Sequence, residues 1–173
     1  TNPKDYTPII KQLDEVIILS PKTELASKSQ YLLMKVYNQI GEYAKRDQAY
    51  LQYINNYTKY YKPDEVAKIG IQLGDGYFKA ERYKEALAIY NLILTKFPNT
   101  KPVNEAKVKI ARCLEKSGKT KEALALYSQL KEKGEDLEGE ILESIGDIYA
   151  KEGNLNKALE RYEKAGLSYR KEG

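Results

Sequence analysis

The segments LGDGYFKAERYKEALAIY (residues 73–90), IARCLEKSGKTKEALALY (residues 110–127) and IGDIYAKEGNLNKALERY (residues 145–162) align with one another without a gap. In each, a small residue (Gly74, Ala111, Gly146) is followed three positions on by a large one (Tyr77, Leu114, Tyr149). Alanine comes twelve positions after the small residue (Ala86, Ala123, Ala158), and tyrosine four after that (Tyr90, Tyr127, Tyr162). Spacings of three and four hold residues on one face of a helix, so each copy reads as two helices whose small residues meet at a close crossing. A larger side chain at either place would wedge the crossing apart. Gly118 and Gly153 fall at the turn between the helices, where a residue tolerant of positive φ is needed. Pro98 stops the second helix of the first copy after Phe97.

These offsets resemble the tetratricopeptide repeat, with its pattern L-G-x2-Y, then A-x3-F, then P. The resemblance implies an all-α fold, a right-handed α-solenoid of helix-turn-helix units in one domain (1–173). The register places repeats at 27–61, 64–98, 103–134 and 138–171. The first is the weakest copy. Tyr37, Gly41 and Tyr50 match, but Met34 stands at the small position and Arg46 at the crossing alanine, so this pair is expected to splay and Arg46 to reach solvent along its stem.

A leading helix is expected at about 6–19, with Ile9, Ile10, Leu13, Val16 and Ile17 on one face and Pro21 after it. It reads as the second helix of a repeat without its first, so the chain is expected to begin inside an array. In the last helix, Leu155, Ala158, Leu159, Tyr162 and Ala165 are expected to point inward. Lys157, Glu160, Arg161, Lys164 and Lys171 would turn outward and form the polar terminal surface that an array needs.

Composition narrows the function. Charged residues make up 31% of the chain, with 29 basic against 25 acidic, and no cationic run forms a polybasic tail. That balance argues against nucleic acid as the partner, although helical repeats can read RNA. No stretch of about 18 apolar residues is present to span a membrane. With no histidine, imidazole triads and imidazole metal sites are excluded, and Cys113, the single cysteine, has no base to activate it. Asp75 and Asp147 occupy equivalent repeat positions, two repeats apart, which register explains without catalysis. The chain therefore reads as a non-enzyme with no cofactor or metal site.

In a tetratricopeptide array the first helices line a concave groove. The register assigns that groove Tyr31, Lys35 and Asn38, then Ile71, Gln72, Asp75 and Phe78, then Val108, Lys109 and Arg112. An apolar centre flanked by both charges suits an extended peptide or an amphipathic helix. Chaperone-binding members grip a C-terminal carboxylate with lysines and asparagines. Here Tyr31, Lys35 and Glu105 stand at those places, so that clamp is not expected. Tyrosine is abundant, at 16 against two phenylalanines, and Tyr50, Tyr53 and Tyr57 have core spacing. Tyr60 and Tyr61 cannot both face inward, so one is expected to be exposed.

The anchors lie 40, 37 and 35 residues apart, longer than the usual 34. The linking segment FPNTKPVNEAKVKIA, from Phe97 to Ala111, is similar to bacterial envelope arrays. These include the lipoprotein subunit of the outer-membrane β-barrel assembly machinery and the periplasmic partner of the Tol-Pal system. The similarity implies a scaffold in a bacterial envelope assembly, with a protein or peptide partner. The alternative is a structural module that self-associates through its N-terminal half-repeat.

Overall fold

A computed structural model of the chain describes residues 5–132 and 137–172. Among these residues there are nine α-helices, one 3-10 turn and no strand. The helices are α1 (Thr7–Leu19), α2 (Glu24–Gln39), α3 (Tyr43–Asn56), α4 (Pro63–Lys79), α5 (Tyr83–Lys96), α6 (Pro102–Lys116), α7 (Thr120–Glu132), α8 (Glu138–Lys151) and α9 (Leu155–Glu172). The expected end of the third repeat at residue 134 lies outside the described residues. By contacts the chain divides into two compact units, residues 1–66 and 67–173, with the boundary inside α4.

Local chemistry sets the helix ends. The Thr23 side chain accepts the Ala26 amide at 3.2 Å and caps α2, with Glu24 in its first turn favouring the positive end of the helix dipole. Proline begins α4 and α6, where its missing amide costs no helical bond. Gly41, Gly118 and Gly153 turn between paired helices at φ of 79, 78 and 77°. Glu81 fills the corresponding turn between α4 and α5 at φ 58°, without glycine's freedom.

In the first unit α2 packs between α1 and α3. Tyr50, Ala49, Ile54, Leu33 and Met34 form its core. Arg46 does not reach solvent: it is 3% exposed, with Nε 2.8 Å from Asp47 Oδ1, Nη1 donating to Asn38 Oδ1 at 3.1 Å, and its guanidinium over the Tyr43 ring. Burial is tolerated because Asp47 and Asn38 compensate the charge and its donors. Tyr53 stacks at tilted angles with Tyr31, Tyr57 and Tyr61. Neither Tyr60 nor Tyr61 is exposed. Both rings are half-buried, because each hydroxyl reaches a backbone carbonyl, Lys22 and Ile54 respectively.

In the second unit α5, α6, α7, α8 and α9 pack each against the next. Its centre is Val108, Ala111, Ala123, Tyr127, Leu130, Ile141, Ile145 and Ile148. The last helix departs from expectation. Ala158 and Ala165 are buried against α8, but Leu155, Leu159 and Tyr162 are 69%, 58% and 37% exposed, because no described residue packs beyond them. The surface of α9 is thus partly apolar.

Candidate functional site

Two helix pairs of the second unit, α4 with α5 and α8 with α9, share one repeated contact. The Tyr90 ring lies on Gly74, where an added Cβ would stand 2.3 Å from Cε1, and its hydroxyl donates to Asp75 Oδ1 at 2.6 Å. Tyr162 repeats this on Gly146 and Asp147, with the hydroxyl bond at 2.8 Å. The equivalence of Asp75 and Asp147 is therefore structural: each carboxylate accepts its own repeat's tyrosine. Burial, with the Asp75 carboxylate adding to it, raises the Tyr90 phenol far above its ordinary range.

Of the ten residues assigned to a groove, seven lie in the second unit. Two of these are not on the surface. Ile71 is 4% exposed and Val108 1%, because each sits three residues before the crossing residue (Gly74, Ala111) and shares its inward face. The other five are accessible to differing degrees. Gln72 is exposed, and Phe78 is partly buried with its ring edge-on to Tyr83 at 5.4 Å. Asp75, Lys109 and Arg112 join Phe78 and Tyr90 around a dimple of about 30 Å3, close to one water's share of liquid volume.

The charges here are paired across adjacent first helices. Lys109 Nζ lies 2.9 and 3.1 Å from the two Asp75 oxygens and 3.5 Å from Glu105. Arg112 reaches forward to Glu140 at 3.0 Å, and Lys151 reaches back to Glu115. The sequence reading placed cations and carboxylates on this face but missed that they neutralise one another.

It also missed the larger opening. A cleft of about 250 Å3 lies at the start of α6, lined by Lys68, Lys101, Pro102, Asn104, Glu105 and Leu137. Lys68 and Glu105 sit one turn before Gln72 and Lys109 on their helices, so extending the register by a turn would have found them.

In the first unit, Tyr31 is half-buried with Lys35 Nζ 5.7 Å from its ring centre, and Asn38 is held by Arg46. The opening there lies elsewhere. A cleft of about 250 Å3 between α1 and α3 is lined by Asp14, Gln30, Tyr37, Lys45 and Gln52, on a different face of α2. Among the described residues, no group of three histidine, cysteine, aspartate or glutamate side chains is placed to hold a metal ion. No described helix is long and apolar enough to cross a membrane.

Solved structures share this arrangement. MamA matches with TM-score 0.62 at 16% identity, covering 97% of this chain and 91% of that one. MamA from Desulfovibrio magneticus RS-1 matches with 0.60 at 12%, covering 95% and 86%. YrrB, a TPR protein with an unusual peptide-binding site, matches with 0.59 at 21%, covering 95% and 78%. No curated protein matches the chain by sequence. A sequence model of the tetratricopeptide repeat-like domain matches residues 19–173. With nearly the whole chain inside that match and the ring-on-glycine pairing recurring at Gly74 and Gly146, the protein belongs to the tetratricopeptide repeat-like family.

Proposed function

We propose that the chain is a non-catalytic protein-interaction scaffold whose second unit binds an extended peptide along the first-helix face of α4, α6 and α8. The observation that carries this is a line on α6. Glu105, Lys109 and Arg112 lie one turn apart on one face, joining the 250 Å3 cleft to the dimple beside Phe78. Seven helical residues cover about 10 Å, the length of about three residues of extended chain. One carboxylate followed by two cations along that line, with Leu137 and Phe78 as apolar ends, match a short peptide carrying both charges. YrrB's peptide-binding site supports a peptide as the partner. The similarity of residues 97–111 to envelope arrays supports an envelope assembly as the setting.

The test is selection of peptides from a random displayed library on the intact chain, repeated on Phe78→Ala with Arg112→Ala. Both side chains are partly exposed, so the fold should survive their loss. Peptides that lose at least tenfold affinity on the double variant support the reading. Peptides that bind both proteins equally sink it.

A second reading is self-association through α1. It rests on exposed Ile9, Ile18 and Leu19, which are 46%, 74% and 80% accessible in a helix with no buried residue. A sedimentation mass that rises with concentration and falls to monomer on Ile9→Glu would favour it.

A further inference from the structure

The cleft of the first unit is formed by α1, α2 and α3 together, and its chemistry favours one kind of ligand. Its floor is apolar, made by the buried Leu33 and Ala49. At about 250 Å3 it falls just short of the ~300–1,000 Å3 of pockets for drug-sized ligands, a space suited to one long side chain. Gln30 lies beside that floor, 2% exposed, with Nε2 donating to the Ala49 carbonyl at 3.2 Å and to Gln52 Oε1 at 3.1 Å. A carbonyl only accepts, so the amide cannot be turned round. Gln30 Oε1 is thus a buried acceptor that no described residue serves, and its donor must come from the cleft that Gln30 lines.

The walls call for a donor too. Asp14 of α1 lines the cleft without an ion pair or hydrogen bond to any described residue. Tyr37 comes two turns after Gln30 on α2, and helical side chains lean toward the N-terminus, so its hydroxyl points back toward Gln30. Burial, with the Asp14 carboxylate adding to it, raises that phenol above its ordinary range, which places Asp14 within electrostatic reach of the hydroxyl. Lys45 is the cation among the lining residues. Its Nζ lies 5.9 Å from the Tyr37 ring centre and 3.6 Å from Glu42 Oε2, so Glu42 offsets its charge and that of Asp14 remains uncompensated.

We propose that this cleft binds a guanidinium on an aliphatic stem, the end of an arginine side chain or of a free alkylguanidine. A guanidinium carries five N–H donors in a planar fork, enough to pair with Asp14 and to serve Gln30 Oε1 and the Tyr37 hydroxyl, while Leu33 and Ala49 cover the stem. An ammonium is a compact, strongly hydrated charge and is less suited to separated acceptors above an apolar floor. The site lies in the first unit and stands or falls apart from the peptide track on α6.

The test is an NMR titration of the isotope-labelled full chain with acetyl-Gly-Gly-Arg-Gly-Gly-amide, with its lysine counterpart and with butylguanidine. The capped ends leave no carboxylate for Lys45 to hold. The side-chain amide signals of Gln30 and Gln52 should shift saturably with the arginine peptide, which should bind about fivefold or more tightly than the lysine peptide. Asp14→Asn, at an exposed position where the fold should survive, should weaken binding about fivefold or more. Gln30→Met keeps the length and removes the acceptor, and should weaken it about threefold. Lys45→Met should leave it equal or tighter. Butylguanidine binding as tightly as the peptide would make the ligand a free alkylguanidine, and weaker binding would make it an arginine within a chain. Amide signals that do not move at about 10 mM peptide overturn the proposal. So do equal affinities for the arginine and lysine peptides, or an affinity that Asp14→Asn leaves unchanged.

Discussion

The Tyr90 hydroxyl donates to Asp75 at 2.6 Å while its ring covers Gly74 so closely that a methyl group there would stand 2.3 Å from Cε1. Anchored at both ends, the ring has nowhere to retreat. Gly74→Ala should therefore destabilise the fold by about 1–3 kcal/mol through overpacking, despite alanine's better helix propensity. Gly146→Ala meets Tyr162 at 2.7 Å, but that ring is 37% exposed and can shift toward solvent by giving up its exposed bond to Asp147, so its cost should be smaller. Gly76→Ala is the control: nothing lies within 4 Å, and it should stabilise by about 0.5–1 kcal/mol. Urea denaturation of the three variants measures the order, and equal losses at Gly74 and Gly146 would refute it.

The turn between α4 and α5 is built without glycine. Glu81 sits at φ 58°, where Gly41, Gly118 and Gly153 serve the other turns. A left-handed residue with a Cβ costs about 1–2 kcal/mol, and glycine's extra freedom when unfolded returns part of that. Glu81→Gly is expected to raise stability by about 0.5–1 kcal/mol, read as a higher urea midpoint with unchanged slope.

Much of this fold is legible because its decisive contacts lie within a repeat. Gly74, Ala86 and Tyr90 recur at fixed offsets, so the crossing, the turn and the inward tyrosine follow from helical periodicity. Legibility fails where the answer depends on neighbouring helices. Ile71 and Val108 look like groove residues by count, yet they share the face of the crossing residue and are buried. Leu155 and Leu159 look like core by the same periodicity, and are exposed because only a further helix would cover them. The bridges from Lys109 to Asp75 and from Arg112 to Glu140 depend on how far adjacent helices slide past one another, which no spacing within one repeat encodes.

Cys113 is fully buried, and that burial pushes its thiol from about 9 up to about 11, with the Asp75 carboxylate adding to the shift. Tyr127 is raised from about 10 to about 12, again first by burial. In both cases the folded state holds its proton more tightly than the unfolded chain. Their contribution is complete below pH 9, declines as pH rises through the window from about 9 to about 12, and is then lost. Each group adds a slope of at most about 1.4 kcal/mol per pH unit. The urea midpoint should fall between pH 8.5 and 11 by roughly such amounts, with Cys113→Ala flattening the lower part of the fall. Alkylation of the native thiol at pH 8 should be slow and should track unfolding.

The two forward bridges should differ in strength because they differ in exposure. Lys109 and Asp75 are 18% and 34% exposed at their side chains, against 37% and 27% for Arg112 and Glu140. Asp75 is further fixed by Tyr90, so Lys109 meets a carboxylate that is already positioned and loses less side-chain entropy on pairing. A double-mutant cycle on Lys109→Met and Asp75→Asn should give a coupling of about 1 kcal/mol, and one on Arg112→Met and Glu140→Gln about 0.5 kcal/mol or less. Raising salt toward 1 M shortens the screening length to about 3 Å and should diminish the second coupling proportionally more. Equal couplings with equal salt dependence would mean that the tyrosine anchor does not position Asp75, and that the two bridges are simply interchangeable surface pairs.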